Sequence, residues 1–300
     1  MKTVEYFGEA DLYKVTWGTE KPIGVVQIVH GMVEHIERYD RFARFLNEKG
    51  YVVIGHDQRG HGQSIHHPEE MGVFPLESEK LIDDIKAIHH DIKMSYPDLP
   101  CFLLGHSMGS YLVRCAISQN DMALDGVIIM GTGQVSPLLM NFSVALAYLG
   151  VKVFGEEYTG KFFNRLTLEK YIKIFSKDMK RSDWISRDKA IVDKHMKDKF
   201  CQFTPTLSMY LGIFRFVRCA CAKKSYHQMK KDLPILLISG ERDIVGDFGK
   251  MVLKLNYLYK QAGFSQIRLR LYPQARHEIL NELNYQEVYQ DIYHWLKSLS

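Results

Sequence analysis

The sequence predicts an α/β fold with a mostly parallel central sheet, helices on both of its faces and a helical insertion late in the chain. Three observations predict it. Short strands that are apolar on both faces alternate with amphipathic helical stretches from about residue 23 to 132, the pattern of a parallel sheet covered by helices. That pattern vanishes between about residues 135 and 229, where short helical segments are punctuated by Pro137, Gly150, Gly155, Gly160 and Pro205. It then returns, so the sheet is interrupted and resumed. The implied division is a core made of residues 1–134 and 230–300, with a helical cap over 135–229.

Residues 4 to 20 read as hairpin strand on Leu12, Tyr13, Val15 and Trp17, an antiparallel edge. Ile23 to Val29 is a buried strand ending at His30-Gly31, and Arg38 to Lys49 carries Phe42, Phe45 and Leu46 at helical spacing before Gly50 stops it. Tyr51 to Ile54 is the next strand, ending at His56-Asp57. Ser78 to Ser95 reads as a helix on Leu81, Ile82, Ile85, Ile88 and Ile92, closed by Pro97. Cys101 to Leu104 and Val127 to Met130 are further strands, with a helix from Ser110 to Ile117 between them. In the insertion, Leu166 to Phe175, Asp188 to Phe200 and Tyr210 to Cys219 read as short amphipathic helices. The core resumes with strand Pro234 to Ile238, helix Met251 to Ala262, strand Ile267 to Leu271 and a terminal helix through Trp295.

Composition narrows the classes. With 46% hydrophobic and 25% charged residues, the chain holds enough apolar material for a large core and is not disordered. A net charge of +4 over 300 residues, with Lys177 to Arg187 the densest basic cluster, is a solvated face and predicts no nucleic-acid partner. The N-terminal residues lack the apolar stretch of a signal peptide. The longest apolar run, near Phe142 to Phe154, reads as too short for a membrane span and as broken by Gly150 and Lys152. Five cysteines, an odd number without CxxC spacing, argue against disulfides and against a metal site, and for a reducing, cytoplasmic setting.

The chemistry is carried by Gly105-His106-Ser107-Met108-Gly109. This G-x-S-x-G pattern, between a strand and a helix, is a sharp turn that projects a serine hydroxyl above the sheet. Its two glycines remove side chains where helix and strand would collide. A serine needs a base to take its proton and an acid to hold that base. In this chain order the acid precedes the histidine. His277 follows the strand Ile267 to Leu271, and Asp243 lies three residues past Gly240. Both are on loops at strand ends, where an open parallel sheet places its site. Asp247 is the rival acid. It lies further from the strand end and is read as capping a helix that begins near Phe248. The oxyanion of an acyl-transfer intermediate needs two N–H donors, and Met108 and Met32 occupy the two expected places.

At these residues the sequence resembles monoacylglycerol lipases and related lysophospholipase-like hydrolases of the α/β-hydrolase fold. His30-Gly31-Met32-Val33-Glu34-His35 with Arg38-Tyr39 is similar to their HGxxEHxxRY block, and Asp57-Gln58-Arg59-Gly60-His61-Gly62-Gln63-Ser64 to DxRGHGxS. Gly105 to Gly109, Gly240-Glu241-Arg242-Asp243 and Arg276-His277-Glu278 are similar to three more, so the resemblance spans residues 30 to 280. It implies a Ser107–Asp243–His277 triad, a helical cap, no cofactor and no metal. It also implies that Glu34 and Arg38 lie near the polar end of the acyl-acceptor pocket, although a Glu–Arg pair can serve only to hold the loop. Arg59 and His61 are read as bracing a loop. The elbow departs from the family in ending Gly109-Ser110 where many members have two glycines, and the insertion has no segment that matches a lipase cap.

The expected reaction is cleavage of lipophilic or small acyl esters, such as monoacylglycerols or lysophospholipids, through an acyl-enzyme. Phe142, Tyr148, Phe154, Phe162, Met209, Phe214 and Phe216 are the cap residues that could line an acyl pocket or else pack its helices. The competing readings are an aminopeptidase or amidase, which needs an acidic site for a free amine, and a non-catalytic binding protein, for which a full triad has no use. The partner is thus a small-molecule ester, with the cap a candidate for passing contact with a membrane surface.

Overall fold

A computed structural model describes residues 1–167 and 182–300. β1 (Lys2–Phe7) and β2 (Leu12–Trp17) form an antiparallel hairpin. Strand and helix then alternate through β3 (Gly24–Val29), α1 (Asp40–Glu48), β4 (Tyr51–His56), α2 (Lys80–Ser95), β5 (Cys101–His106), α3 (Met108–Ile117) and β6 (Gly126–Met130). Next come the helices α4 (Pro137–Phe154), α5 (Lys161–Leu166), α6 (Lys189–Lys197), α7 (Leu207–Cys221) and α8 (Lys223–Gln228). The chain closes with β7 (Ile235–Gly240), α9 (Lys250–Gln261), β8 (Ile267–Tyr272) and α10 (Tyr285–Lys297).

The strands make one eight-stranded sheet in the order β1-β2-β4-β3-β5-β6-β7-β8. The hairpin joins it antiparallel through β2 and β4, and every pairing from β4 to β8 is parallel. Every residue of β3, β4, β5 and β7 is buried, because helices cover both faces. Alternation along β5 sorts its side chains between two cores. Leu103 packs with Leu112 and Val127 on one face, and Phe102 and Leu104 pack with Phe42, Leu46 and Trp295 on the other. β8 is the far edge, with Arg268 and Arg270 exposed and Ile267, Leu269 and Leu271 half-buried.

Three elements differ from what the sequence predicts. α4 starts at Pro137, five residues ahead of the apolar run at Phe142, with proline in the first turn where no N–H is needed. Gly150 and Lys152 lie inside it and do not break it. Gly150 lets Leu207 of α7 approach so closely that a Cβ would stand 3.3 Å from it. At 18 residues α4 is long and apolar enough to cross a membrane by length and composition, whereas the shorter run read from the sequence is not. Its buried side, Met140 and Ala147, faces inward, Ala147 packing with Leu207 and Leu211, and most of its length is exposed. α7 begins three residues earlier than Tyr210, where the Thr206 hydroxyl accepts the Met209 amide. α9 begins at Lys250 with Gly249 at its cap position. Asp247 is therefore not its cap, since Asp247 and Phe248 sit in a left-handed turn at φ 49° and 55°. Asp188 to Phe200 is helical as α6 followed by a 3-10 turn, Lys199–Cys201. The helix expected over Leu166 to Phe175 lies largely outside the described residues.

Candidate active site

The site forms at the C-terminal ends of β3, β5, β7 and β8. Ser107 stands in the turn from β5 to α3 at φ 52°, ψ −118°, a conformation that costs a non-glycine residue about 1–3 kcal/mol. The turn is held by its surroundings. The Ser107 amide donates to Met130 O of the neighbouring strand at 2.9 Å, and the Ser110 amide and hydroxyl both donate to Ser107 O. The flanking glycines are required by contact: a Cβ on Gly105 would stand 2.6 Å from Gly109 O, and one on Gly109 would stand 2.1 Å from Val29 O. Ser110 is fully buried and supplies two of those hydrogen bonds.

The loop after β7 carries Asp243, fully buried. His277 Nδ1 lies 2.9 Å from its Oδ1, which also accepts the Val245 amide at 2.9 Å, while Oδ2 accepts the Ser239 hydroxyl at 3.0 Å. Burial alone would raise the carboxyl's pKa. His277 and these hydrogen bonds outweigh it, so the carboxyl sits below its ordinary value. Asp247, the rival acid, is half-exposed with Lys250 Nζ 3.7 Å away. The His277 ring is buried between His106, at 4.8 Å between centroids, and Trp184, at 5.0 Å. Neither neighbour was expected from the sequence. His106 is a variable position of the pentapeptide, and Trp184 lies in the insertion.

Ser107 and His277 open onto a chamber of about 660 Å³ that Met32 and Met108 also line. Met108 is the first residue of α3, so its amide has no partner within the helix. Apolar side chains make up most of the remaining wall, among them Tyr111, Val135, Met140, Phe142, Ile213, Phe214, Val217 and Met251. Of the cap residues proposed as acyl lining, Phe142 and Phe214 line this chamber. Met209 and Phe216 are buried in the main core, since α7 turns only part of its surface to the chamber. Phe154 and Phe162 line a separate outer groove of about 390 Å³, and Tyr148 is half-exposed.

Glu34 lines the chamber but is committed internally. Its Oε1 accepts from the Gly31 amide at 2.5 Å, lies 2.9 Å from His106 Nδ1 and accepts the Tyr39 hydroxyl at 3.0 Å. Its Oε2 accepts Arg38 Nη1 at 3.0 Å. Arg38 in turn makes a bidentate pair with Glu278, both bonds 2.6 Å. Burial disfavours the charged form of Glu34, but His106 and Arg38 reverse this and hold its pKa well below the usual range. Burial likewise lowers the pKa of His106, and Glu34 reverses it to a net rise. Glu34 and Arg38 thus tie the loop after β3 to the nucleophile turn and to the residue that follows His277. Glu278 is visible in the sequence only as part of the final histidine block. Its partner lies 240 positions away, so no local pattern announces the pair. Arg59 pairs with Asp84 at 2.7 Å, and His61 packs its ring on His30 and Phe74.

Comparison with known proteins gives consistent matches along the chain. The sequence profile of the family described as serine aminopeptidase, S33, matches residues 20–284. A monoacylglycerol lipase of Mycolicibacterium smegmatis is 26% identical over 293 residues, covering 96% of this chain and 92% of the relative. A monoglyceride lipase of Mus musculus is 27% identical over 264 residues, covering 87% and 78%. Among solved structures, a thermostable carboxyl esterase from Bacillus coagulans in complex with glycerol superposes at a TM-score of 0.89 with 27% identity, covering 100% of this chain and 98% of that one.

Proposed function

Because the chain belongs to the serine aminopeptidase, S33, family, we propose that Ser107, His277 and Asp243 act as its nucleophile, base and acid, with the amides of Met32 and Met108 as the oxyanion donors. The protein is a carboxylic ester hydrolase of the α/β-hydrolase fold acting on lipid esters. The observation that carries the residue assignment is the buried Asp243–His277 bond opening, with Ser107, onto one apolar chamber.

Asp243 accepts a hydrogen bond from the Nδ1–H of His277, which leaves Nε2 unprotonated and able to take the proton of Ser107 as its oxygen attacks the ester carbonyl carbon. The carbonyl π pair moves onto oxygen and is held by the two backbone donors, each worth about 10²–10³ in rate. As the tetrahedral intermediate collapses, His277 passes its proton to the leaving alkoxide. Water, deprotonated by His277, then cleaves the acyl-enzyme and regenerates Ser107. The chamber's apolar wall suits a fatty acyl chain, which supports monoacylglycerols and lysophospholipids as the substrates. The odd number of cysteines without CxxC spacing is what supports a reducing, cytoplasmic setting, and the exposed apolar side of α4 supports passing contact with a membrane surface.

The family's description raises the aminopeptidase reading, which requires a carboxylate free to receive an α-amine. Glu34 and Glu278 are both satisfied by internal partners, and the third carboxylate lining the chamber among the described residues, Asp247, has Lys250 Nζ 3.7 Å away, which favours the ester. The test is a panel of p-nitrophenyl esters of increasing acyl length, together with aminoacyl amides, on wild type and Ser107→Ala. Medium or long esters are expected to turn over best, with a loss of at least about 10⁴-fold in Ser107→Ala. Equal turnover by both proteins removes Ser107 from the mechanism, and amide turnover above every ester removes the ester assignment.

A further inference from the structure

Beside the chamber, cap and core meet at three side chains whose donors have no role in the ester chemistry. His35 lies on the core side, between the loop after β3 and a 3-10 turn, Ile36–Tyr39. Asp198 and Cys201 lie on the cap side, flanking and ending the 3-10 turn that follows α6. His35 Nε2 is 2.8 Å from Asp198 Oδ2, and the donor atoms of all three residues, the Cys201 sulfur included, lie within 4.8 Å of one another. The second Asp198 oxygen accepts the Phe200 amide at 3.0 Å, which fixes the carboxylate with Oδ2 toward His35. Cys201 is a free, buried thiol that lines the chamber. His195, one turn earlier on α6, lines it too, with Nδ1 buried and lacking a hydrogen-bond partner among the described residues.

We propose that His35, Asp198 and Cys201 bind a divalent cation of the zinc class. One nitrogen, one oxygen and one sulfur donor suit zinc or cobalt, whereas calcium and magnesium take oxygen sets. Tetrahedral zinc with bonds of about 2.0–2.3 Å puts its donors roughly 3.3–3.8 Å apart, so His35 Nε2 and Asp198 Oδ2, now 2.8 Å apart, must open slightly while the sulfur, within 4.8 Å of both, stays or closes in. An ordinary His–Asp pair accounts for two of the residues, and it is the third donor, the Cys201 sulfur within 4.8 Å of both, that completes a metal-binding set. On binding, Cys201 releases its proton to solvent and becomes a thiolate. The His35 proton moves from Nε2 to Nδ1, so the ring nitrogen facing Asp198 becomes the ligand. The ligands come from two distant stretches of chain, 35 and 198–201, which is why cysteine spacing in the sequence argued against a metal. The bound ion would tie the end of α6 to the segment after the oxyanion loop.

The test is titration of the purified full-length protein with Co²⁺, followed by displacement with Zn²⁺. The expected result is binding of about one equivalent with a near-ultraviolet thiolate-to-cobalt band that zinc abolishes. The band should vanish in Cys201→Ser, and affinity should fall about tenfold or more in His35→Gln and Asp198→Asn. It should persist in His277→Ala and in Cys219→Ser, which separates this cluster from the triad and from the other thiols. Zinc should raise the melting temperature of wild type and leave that of Cys201→Ser unchanged, a readout independent of activity. Absence of the band in folded wild type, its survival in Cys201→Ser or its loss in His277→Ala would each overturn the proposal.

Discussion

A single oxygen of Glu34 gathers the Gly31 amide, His106 and the Tyr39 hydroxyl. Because the Gly31 amide belongs to the loop that carries Met32, the carboxylate fixes the backbone of the residue proposed as one oxyanion donor. Glu34→Gln keeps the shape but removes the charge facing Arg38 and His106. We expect kcat to fall by about 10–100-fold with KM within about twofold, since a misplaced donor is felt in the transition state. Urea unfolding should show a loss of about 3 kcal/mol, as for breaking one partner of a buried pair. An unchanged kcat would reduce Glu34 to a structural strut. At this scale the sequence was legible wherever chemistry forces a residue type into a local pattern. Ser107, with its two glycines, was readable for that reason. The Asp243–His277 pair was readable because each follows a strand end. His106 and Trp184, which flank the histidine, were not, because their roles come only from positions far apart in the chain.

Among the elements, the sheet was the readable part and the cap was not. A strand buried on both faces must be continuously apolar, so β3 to β7 stand out. α4 is apolar nearly all round, and without a polar face it reads as a broken run with no clear helical period. The same property supports its proposed contact with membranes: Leu138, Leu139, Phe142, Leu149, Val153 and Phe154 are all exposed. Replacing Leu138, Leu149 and Val153 together by serine leaves the packed residues Met140 and Ala147 in place. Co-sedimentation with phosphatidylcholine vesicles should drop by about tenfold or more, since each buried aliphatic side chain is worth roughly 1.5–3 kcal/mol. Turnover of a soluble short-chain ester should stay within about twofold. Equal sedimentation of the two proteins would show that α4 does not bind lipid.

Across the whole molecule, stability is tied to pH by histidines that the fold buries uncharged. Burial lowers the pKa of His30 well below its ordinary value, that of His56 to about 3 and that of His61 to about 4. A group with a depressed folded pKa contributes stability that is present above the unfolded value, near 6.5, and is lost as pH falls toward the folded one. Asp57 runs the other way, because burial raises it to about 6, so its contribution is lost as pH rises from about 4 to 6. Three histidines outweigh one aspartate, and unfolding free energy should fall between pH 6.5 and 4 by about 1.4 kcal/mol per pH unit for each uncompensated histidine. His56→Asn should flatten that slope by one histidine in urea titrations at stepped pH. An unchanged slope would show that His56 does not stay neutral.

The order of the sheet also sets the order in which the molecule can come into being. β6 pairs with β7 through Met130 and Ile238, more than a hundred residues apart, and helices α4 to α8 lie in the interval. On a ribosome, Ser107 is therefore made long before Asp243 and His277, its proposed acid and base, and the turn that holds it leaves the tunnel with one side of the sheet unfinished. Non-local closure of this kind is slow. The nascent chain meanwhile shows an open strand edge, together with the apolar side of α4, to whatever chaperone is nearby. With the proposed triad, hydrolytic competence arrives only after the last strand, once His277 is made, so the growing polypeptide passes most of its synthesis as an inert precursor.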